Sequence, residues 1–288
     1  MFETDDPMPP SPRVRRTRRP MFLVATAALL LLPLGASQAQ TESAKLRGKT
    51  FAAIEFQWYP LHFMDYFEAD QTLKDHWERL GTREEVTTQT GMLTIRTAGN
   101  RTVGATLRGE AHDRGRWEIR LRGQRYETEH TDFTVAAELI PAGGRSYDCG
   151  ARNIALARFQ PEGFVTRFHA RNLPDHESAG SKRFRKIHTG YWHTYAVQVR
   201  PRKISWFVDG VVRATERRPE ALSGIPLTLR LQLQAVPGST MNETRLQVAT
   251  VRYFTLKSPR AKRIPAAPRP ALGKFGGACP DSSRSAVR

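Results

Sequence analysis

The sequence predicts an all-β fold of antiparallel sheets, a sandwich or a barrel, and three observations carry that expectation. Leu227, Leu229, Leu231 and Leu233 alternate with Thr228, Arg230, Gln232 and Gln234, the period of two that puts one apolar and one polar row on opposite faces of a strand. Further short segments rich in β-branched and aromatic residues recur along the chain, separated by Gly, Pro, Asp and Asn. Helical periodicity is nearly absent, and many short strands without helices between them define a sandwich or barrel rather than a parallel sheet.

In chain order the expected strands are residues 92–97, 116–122, 133–140, 153–159, 164–170, 192–199, 204–208, 227–233 and 246–256. Asp209-Gly210 is a hairpin dipeptide that tolerates positive φ at both positions, so 204–208 should fold back on 211–215. Regular patterning is expected from about Phe67, with residues 40–60 a lead-in to a domain over 61–256.

The ends have a different character. Residues 13–19 carry five arginines; an apolar run from Met21 to Leu34 follows and closes in Ala36-Ser37-Gln38-Ala39. That is the order of a signal peptide over residues 1–39, its core shorter than the roughly 20 residues a spanning helix needs. An uncleaved anchor is the alternative, and either places the domain outside the cytoplasm; Arg18-Arg19 suggests twin-arginine export. The formal charge of the whole chain is +17; five arginines and three acids leave with the leader, so the mature chain keeps +15. Residues 257–288 hold eight basic residues and one acid among many prolines, an extended tail that cannot build a core. In an oxidising compartment Cys149 and Cys279 are expected to pair and staple this tail to the domain, a loop closure of about 4 kcal/mol at most. Hydrophobic residues at 39% exclude a disordered chain and a polytopic membrane protein.

Several segments carry a resemblance. Gly190-Tyr191-Trp192-His193-Thr194-Tyr195-Ala196-Val197 followed by Ile204-Ser205-Trp206-Phe207-Val208-Asp209-Gly210, together with Gly115-Arg116-Trp117-Glu118-Ile119-Arg120, residues 133–141 and Val251-Arg252-Tyr253, resembles glycoside hydrolase family 16 over about residues 60–256. The resemblance implies a concanavalin-like β-jelly-roll sandwich with a polysaccharide cleft on its concave sheet. It also implies retaining cleavage of β-1,3 or β-1,4 linkages by a strand reading Glu, any residue, Asp, any two residues, Glu. Residues two apart share a face and a bulge returns the third to it, so that nucleophile and acid/base flank one bond.

Here that stretch reads Cys149-Gly150-Ala151-Arg152-Asn153-Ile154-Ala155-Leu156, with Ala151, Asn153 and Leu156 at the three positions, and no Asp or Glu occurs between Asp148 and Glu162. A methyl group cannot attack an anomeric carbon, and loss of a general acid alone costs about 10²- to 10⁴-fold. The expectation is a binder of β-linked polysaccharide. The enzymatic alternative recruits Glu138, which alternation turns away from Phe133, Val135, Ala137 and Leu139, or a loop acid among Asp132, Asp148, Asp175 and Glu177, the last two placed in a polar turn; a second alternative is a structural, wall-associated protein. Candidate sugar contacts are Trp117, Trp192 and Trp206 as stacking platforms and Arg152, Asn153, His193, Gln232 and Gln234 as polar partners, with core packing the competing role for the tryptophans. Arg152 in the motif, with the basic surplus, points to an anionic glycan or the cell envelope as partner. No cofactor is called for: no His-x-x-x-His pair or phosphate loop occurs, and a structural Ca²⁺ on loop oxygens would leave no readable trace. Export and dispersed basic residues argue against nucleic acid, and no protein partner is indicated.

Overall fold

The computed structural model describes residues 51–68, 70–143, 150–184 and 190–274. The expected leader, Asp148 and the expected Cys149–Cys279 pair fall outside the described residues. The first strands are β1 (Leu61–Asp65), β2 (Trp77–Leu80), β3 (Val86–Thr88), β4 (Leu93–Thr97), β5 (Val103–Leu107), β6 (Gly115–Arg125), β7 (Thr134–Pro141) and β8 (Ile154–Phe159). They are followed by β9 (Val165–Asn172), β10 (His176–Arg183), β11 (His193–Arg200), β12 (Lys203–Val208), β13 (Val211–Glu216), β14 (Leu227–Gln234), β15 (Thr244–Phe254) and β16 (Ala271–Leu272). Two helices, α1 (Ala52–Glu55) and α2 (Asp70–His76), are short.

These strands form two antiparallel sheets. The first runs β13-β12-β11-β6-β15-β4-β3 with β1 also on β15; the second runs β16-β10-β9-β8-β7-β14-β5-β2. Between them lies one apolar core in which Leu227, Leu229, Leu231 and Leu233 from β14 meet Ile119 and Leu121 from β6 and Val248 and Val251 from β15. The alternation that predicted β14 therefore reports which face is dry. The hairpin also forms: Asp209 and Gly210 take φ of 50° and 73°, and Val208 pairs with Val211.

Trp117 and Trp206 belong to this core at 1% exposure each, so neither is a sugar platform. Their strand parity places them with Ile119 and Val208 between the sheets, and the Trp206 Nε1 donates across the sandwich to the carbonyl of Ala155, 2.9 Å away.

Two expectations about local structure are corrected. The lead-in is not featureless, because Ala52, Ala53, Phe56 and Trp58 cover Ala196, Phe207 and Phe254 on the outer face of the first sheet. Glu177 lies in β10 rather than in a turn; that strand escapes sequence patterning because its small residues are chosen for fit, and a Cβ on Gly180 would stand 2.4 Å from the Phe168 ring. The tail, expected as an extended segment attached to the domain, is held there by backbone hydrogen bonds. Lys262 N–H donates to Phe56 O at 2.9 Å, Thr215 N–H to Pro268 O at 2.9 Å, and β16 pairs with β10 through Ser178 with Leu272 and Ala179 with Ala271.

Candidate functional site

The outer face of the second sheet is built from the polar halves of alternating strands. Register aligns one row across seven of them: Glu78, Thr106, Arg230, Glu138, Ala155, His169 and Ala179. A neighbouring row runs Leu80, Gly104, Gln232, Ala136, Arg158, Arg167 and Ser181. Gly104 has a backbone reason to lack a side chain, since a Cβ there would sit 2.3 Å from the Leu231 carbonyl oxygen. A cleft of about 740 Å³ opens over this face, lined among others by Glu78, Thr106, Thr228, Arg230 and Gln232 and walled by Arg108, Gly109, Ala111 and residues 141–143.

At the centre of the first row, beside the cleft rather than lining it, stands Glu138, 3% exposed. Its carboxylate accepts from Arg158 Nη1 at 2.5 Å, from Asn153 Nδ2 at 3.2 Å and from Arg230 Nη2 at 3.3 Å. Burial pushes this carboxyl up, but the guanidinium of Arg158, backed by Arg230, outweighs it and holds the group at about 2. Glu138 is thus a permanent anion at neutral pH, the wrong form for a general acid. His169 is pushed down to about 3, first by burial and then by Arg171 and Arg158 against the pull of Glu138, so its imidazole is neutral. Arg171 is held by Glu177 at 2.6 Å, while Arg167 is exposed on the same face.

Strand β8 carries a bulge where two-residue periodicity would otherwise fail. Ala137 pairs with Ala157 and Glu138 with Ala155, leaving Leu156 as the extra residue, and the β9 side skips at the same place. Leu156 and Ala157 both enter the core. The residues that share the outer face at spacing i, i+2, i+5 are consequently Asn153, Ala155 and Arg158, and the expected set Ala151, Asn153 and Leu156 is displaced by two. Leu156, at 1% exposure, does not reach this face.

The other carboxylates are remote from Glu138. Glu78 is three strands away in the same row, and Glu177 is three strands away on the other side, each about 14 Å at the usual strand spacing. Asp132 is taken by Arg125 and Asn242. At that spacing neither Glu78 nor Glu177 comes within the 5–5.5 Å of retention or the 6.5–9.5 Å of inversion from Glu138.

Of the expected sugar contacts, Asn153, Gln232 and Gln234 lie on this face, the two glutamines joined by a 3.0 Å hydrogen bond. Arg152 does not: one residue out of phase with Asn153, it turns to Asn172 Oδ1 at 2.6 Å. Trp192 lies under Arg122, 4.6 Å from the ring centroid, on the outer face of the first sheet. His193 pairs with Asp209 at 2.8 Å and packs on Phe184, away from the cleft. Sequence reasoning missed Arg158 because simple alternation puts it opposite Asn153, and only the bulge brings them together. Arg230 was readable, lying between Thr228 and Gln232 on the polar side of β14.

Geometry therefore defines the class: a two-sheet antiparallel jelly roll with a polar groove across the outer face of one sheet. Comparison of the sequence with protein-family profiles and with curated proteins finds no match. Solved structures do match. A laminarinase from Flavobacterium sp. UMI-01 is 13% identical with a TM-score of 0.53 over 68% of this chain and 100% of that one. SCLam, a non-specific endo-β-1,3(4)-glucanase from family GH16, is 15% identical with a TM-score of 0.55, covering 68% of this chain and 95% of that one. An endo-β-1,3-glucanase from Pyrococcus furiosus is 12% identical with a TM-score of 0.55, covering 69% and 95%. The jelly-roll fold anticipated from the resemblance is thereby shown.

Proposed function

We propose that this chain is an exported protein that binds a β-linked polysaccharide along the outer face of the second sheet without hydrolysing it. One observation carries this reading. The bulged strand presents Asn153, Ala155 and Arg158 around a single carboxylate, Glu138, whose charge is already committed to two arginines and an amide. A face of this composition offers hydrogen bonds to hydroxyl groups and no pair of acids to break a glycosidic bond. The likeness to glucanases of the same fold supports a β-glucan as the ligand class, and the leader supports export to where such polymers occur.

The test uses the mature chain, residues 40–288, with soluble and insoluble β-1,3- and β-1,3(4)-glucans. Retention on insoluble glucan without release of reducing ends is expected. Gln232→Ala, which removes one polar contact in the cleft and no core residue, should weaken retention by roughly 3- to 10-fold, the value of one hydrogen bond. Steady release of reducing ends in proportion to protein overturns the proposal in favour of a hydrolase, and absence of retention on every glycan overturns it in favour of a purely structural role.

A further inference from the structure

Away from the cleft, three side chains that sequence spacing kept apart converge. His112 Nε2 lies 2.9 Å and His62 Nε2 lies 3.9 Å from the same oxygen, Glu110 Oε2, and the three ligand atoms all fall within 4.8 Å of one another. We infer that His62, Glu110 and His112 form a binding site for a divalent transition metal of the zinc type, clamping β1 to the loop that walls the cleft.

The donor set is two imidazoles and one carboxylate, a combination that Zn²⁺ accepts in tetrahedral sites with a fourth position left to water. Bonds of 2.0–2.2 Å place tetrahedral ligand atoms about 3.3 Å apart, so closure asks for at most roughly 1.5 Å of adjustment. His62 can supply it, since its side chain is 50% exposed.

The two histidines are aimed by the backbone and by ring packing. His62 is the residue skipped where β1 changes register against β15, Leu61 pairing with Phe254 and Phe63 with Tyr253; such a bulge re-aims the side chain it carries. His112 is fixed from both sides. Its N–H and carbonyl both bond Leu227, at 3.0 and 3.1 Å, and its ring stacks on Tyr253 with centroids 3.9 Å apart and planes 3° from parallel. The His62 ring stands edge-on to both the His112 and Tyr253 rings at 5.6 Å. Along the loop, Arg108, Gly109 and Ala111 line the cleft whereas Glu110 and His112 are not among its lining residues. A bound ion would therefore brace the wall from behind without occupying the glycan face, and the site stands or falls independently of the glycan reading.

The experiment is a calorimetric titration of the chelator-treated mature chain with Zn²⁺, repeated with Ca²⁺, and a thermal melt with and without metal. One equivalent of Zn²⁺, a preference for Zn²⁺ over Ca²⁺ and a melting temperature raised by several degrees are expected, because a ligand that binds only the folded state stabilises it. His62→Ala, an exposed position outside the core, should leave the metal-free melt unchanged and weaken Zn²⁺ binding at least 10-fold; Glu110→Gln should do the same. Zn²⁺ binding with unchanged affinity in both variants, or no saturable binding up to millimolar Zn²⁺, overturns the inference.

Discussion

Glu138 shows how far a single residue can be read. Alternation along β7 put it on the outer face, correctly, but its three partners come from two other strands, and cross-strand register is not written in either strand alone. Its chemistry follows from those partners. A carboxyl held at about 2 instead of its ordinary 4.5 stabilises the folded state above pH 4.5, and that stabilisation, about 3 kcal/mol, is lost as pH falls toward 2. His169 acts in the same direction from a higher starting point: its folded value is also depressed, so the unfolded chain takes up the proton first and stability declines from about pH 6.5 downward. Glutamine mimics the protonated acid. Glu138→Gln should therefore cost about 3 kcal/mol at pH 7 and flatten the lower part of the profile, between pH 4.5 and 2, while leaving the upper part in place. Urea unfolding of both proteins from pH 7 to pH 2.5 measures this, and a variant equal in stability to the wild type at pH 7 would show that the arginines gain nothing from the carboxylate.

At the scale of elements, legibility depended on whether a strand carries a run of large apolar residues, alternating or continuous. β4, β6, β7, β8, β9, β11, β12, β14 and β15 do, and their positions were readable; β1, β2, β3, β5, β10 and β16 are short, glycine-bearing or polar and were not. The tail marks the same limit. Composition announced an extended chain and nothing in it announced a destination, because Ile264 and Ala261 find their apolar partners only once the lead-in has packed on the first sheet. By bonding Phe56, the edge strand β13 and the edge strand β10 in turn, residues 262–272 cover backbone groups that would otherwise be open to another chain. Ending the chain at Leu256 should consequently lower the melting temperature by several degrees and promote association through the uncovered edges. Light scattering and thermal melts of the truncated protein test it; an equally stable monomer would mean that the strap is decoration.

For the whole molecule, charge is the property that sequence states most directly, and the structure redistributes its meaning. The formal surplus of +17 was legible, whereas Arg152, expected to bring positive charge into the cleft, points elsewhere. Positive charge reaches the outer face of the second sheet through Arg158, Arg230 and Arg167 instead, against Glu138, so the centre of that face keeps an excess of cations. A polymer bearing carboxylate, sulfate or phosphate groups would feel both this local excess and the long-range field of the surplus, and a neutral glucan neither. The distinction lies in the salt dependence. Screening shortens the reach of these charges from about 10 Å at 0.1 M to about 3 Å at 1 M, so affinity for an anionic β-glucan should exceed that for its neutral counterpart at low salt and fall roughly tenfold or more between 0.05 and 0.5 M. Affinity for the neutral polymer, resting on hydrogen bonds from groups such as Gln232 and Thr106, should barely move. Arg167→Glu, an exposed change that breaks no ion pair among the described residues, should remove much of the anionic preference and leave neutral binding intact; matched salt curves for the two polymers would show at once whether the field or the groove selects the ligand.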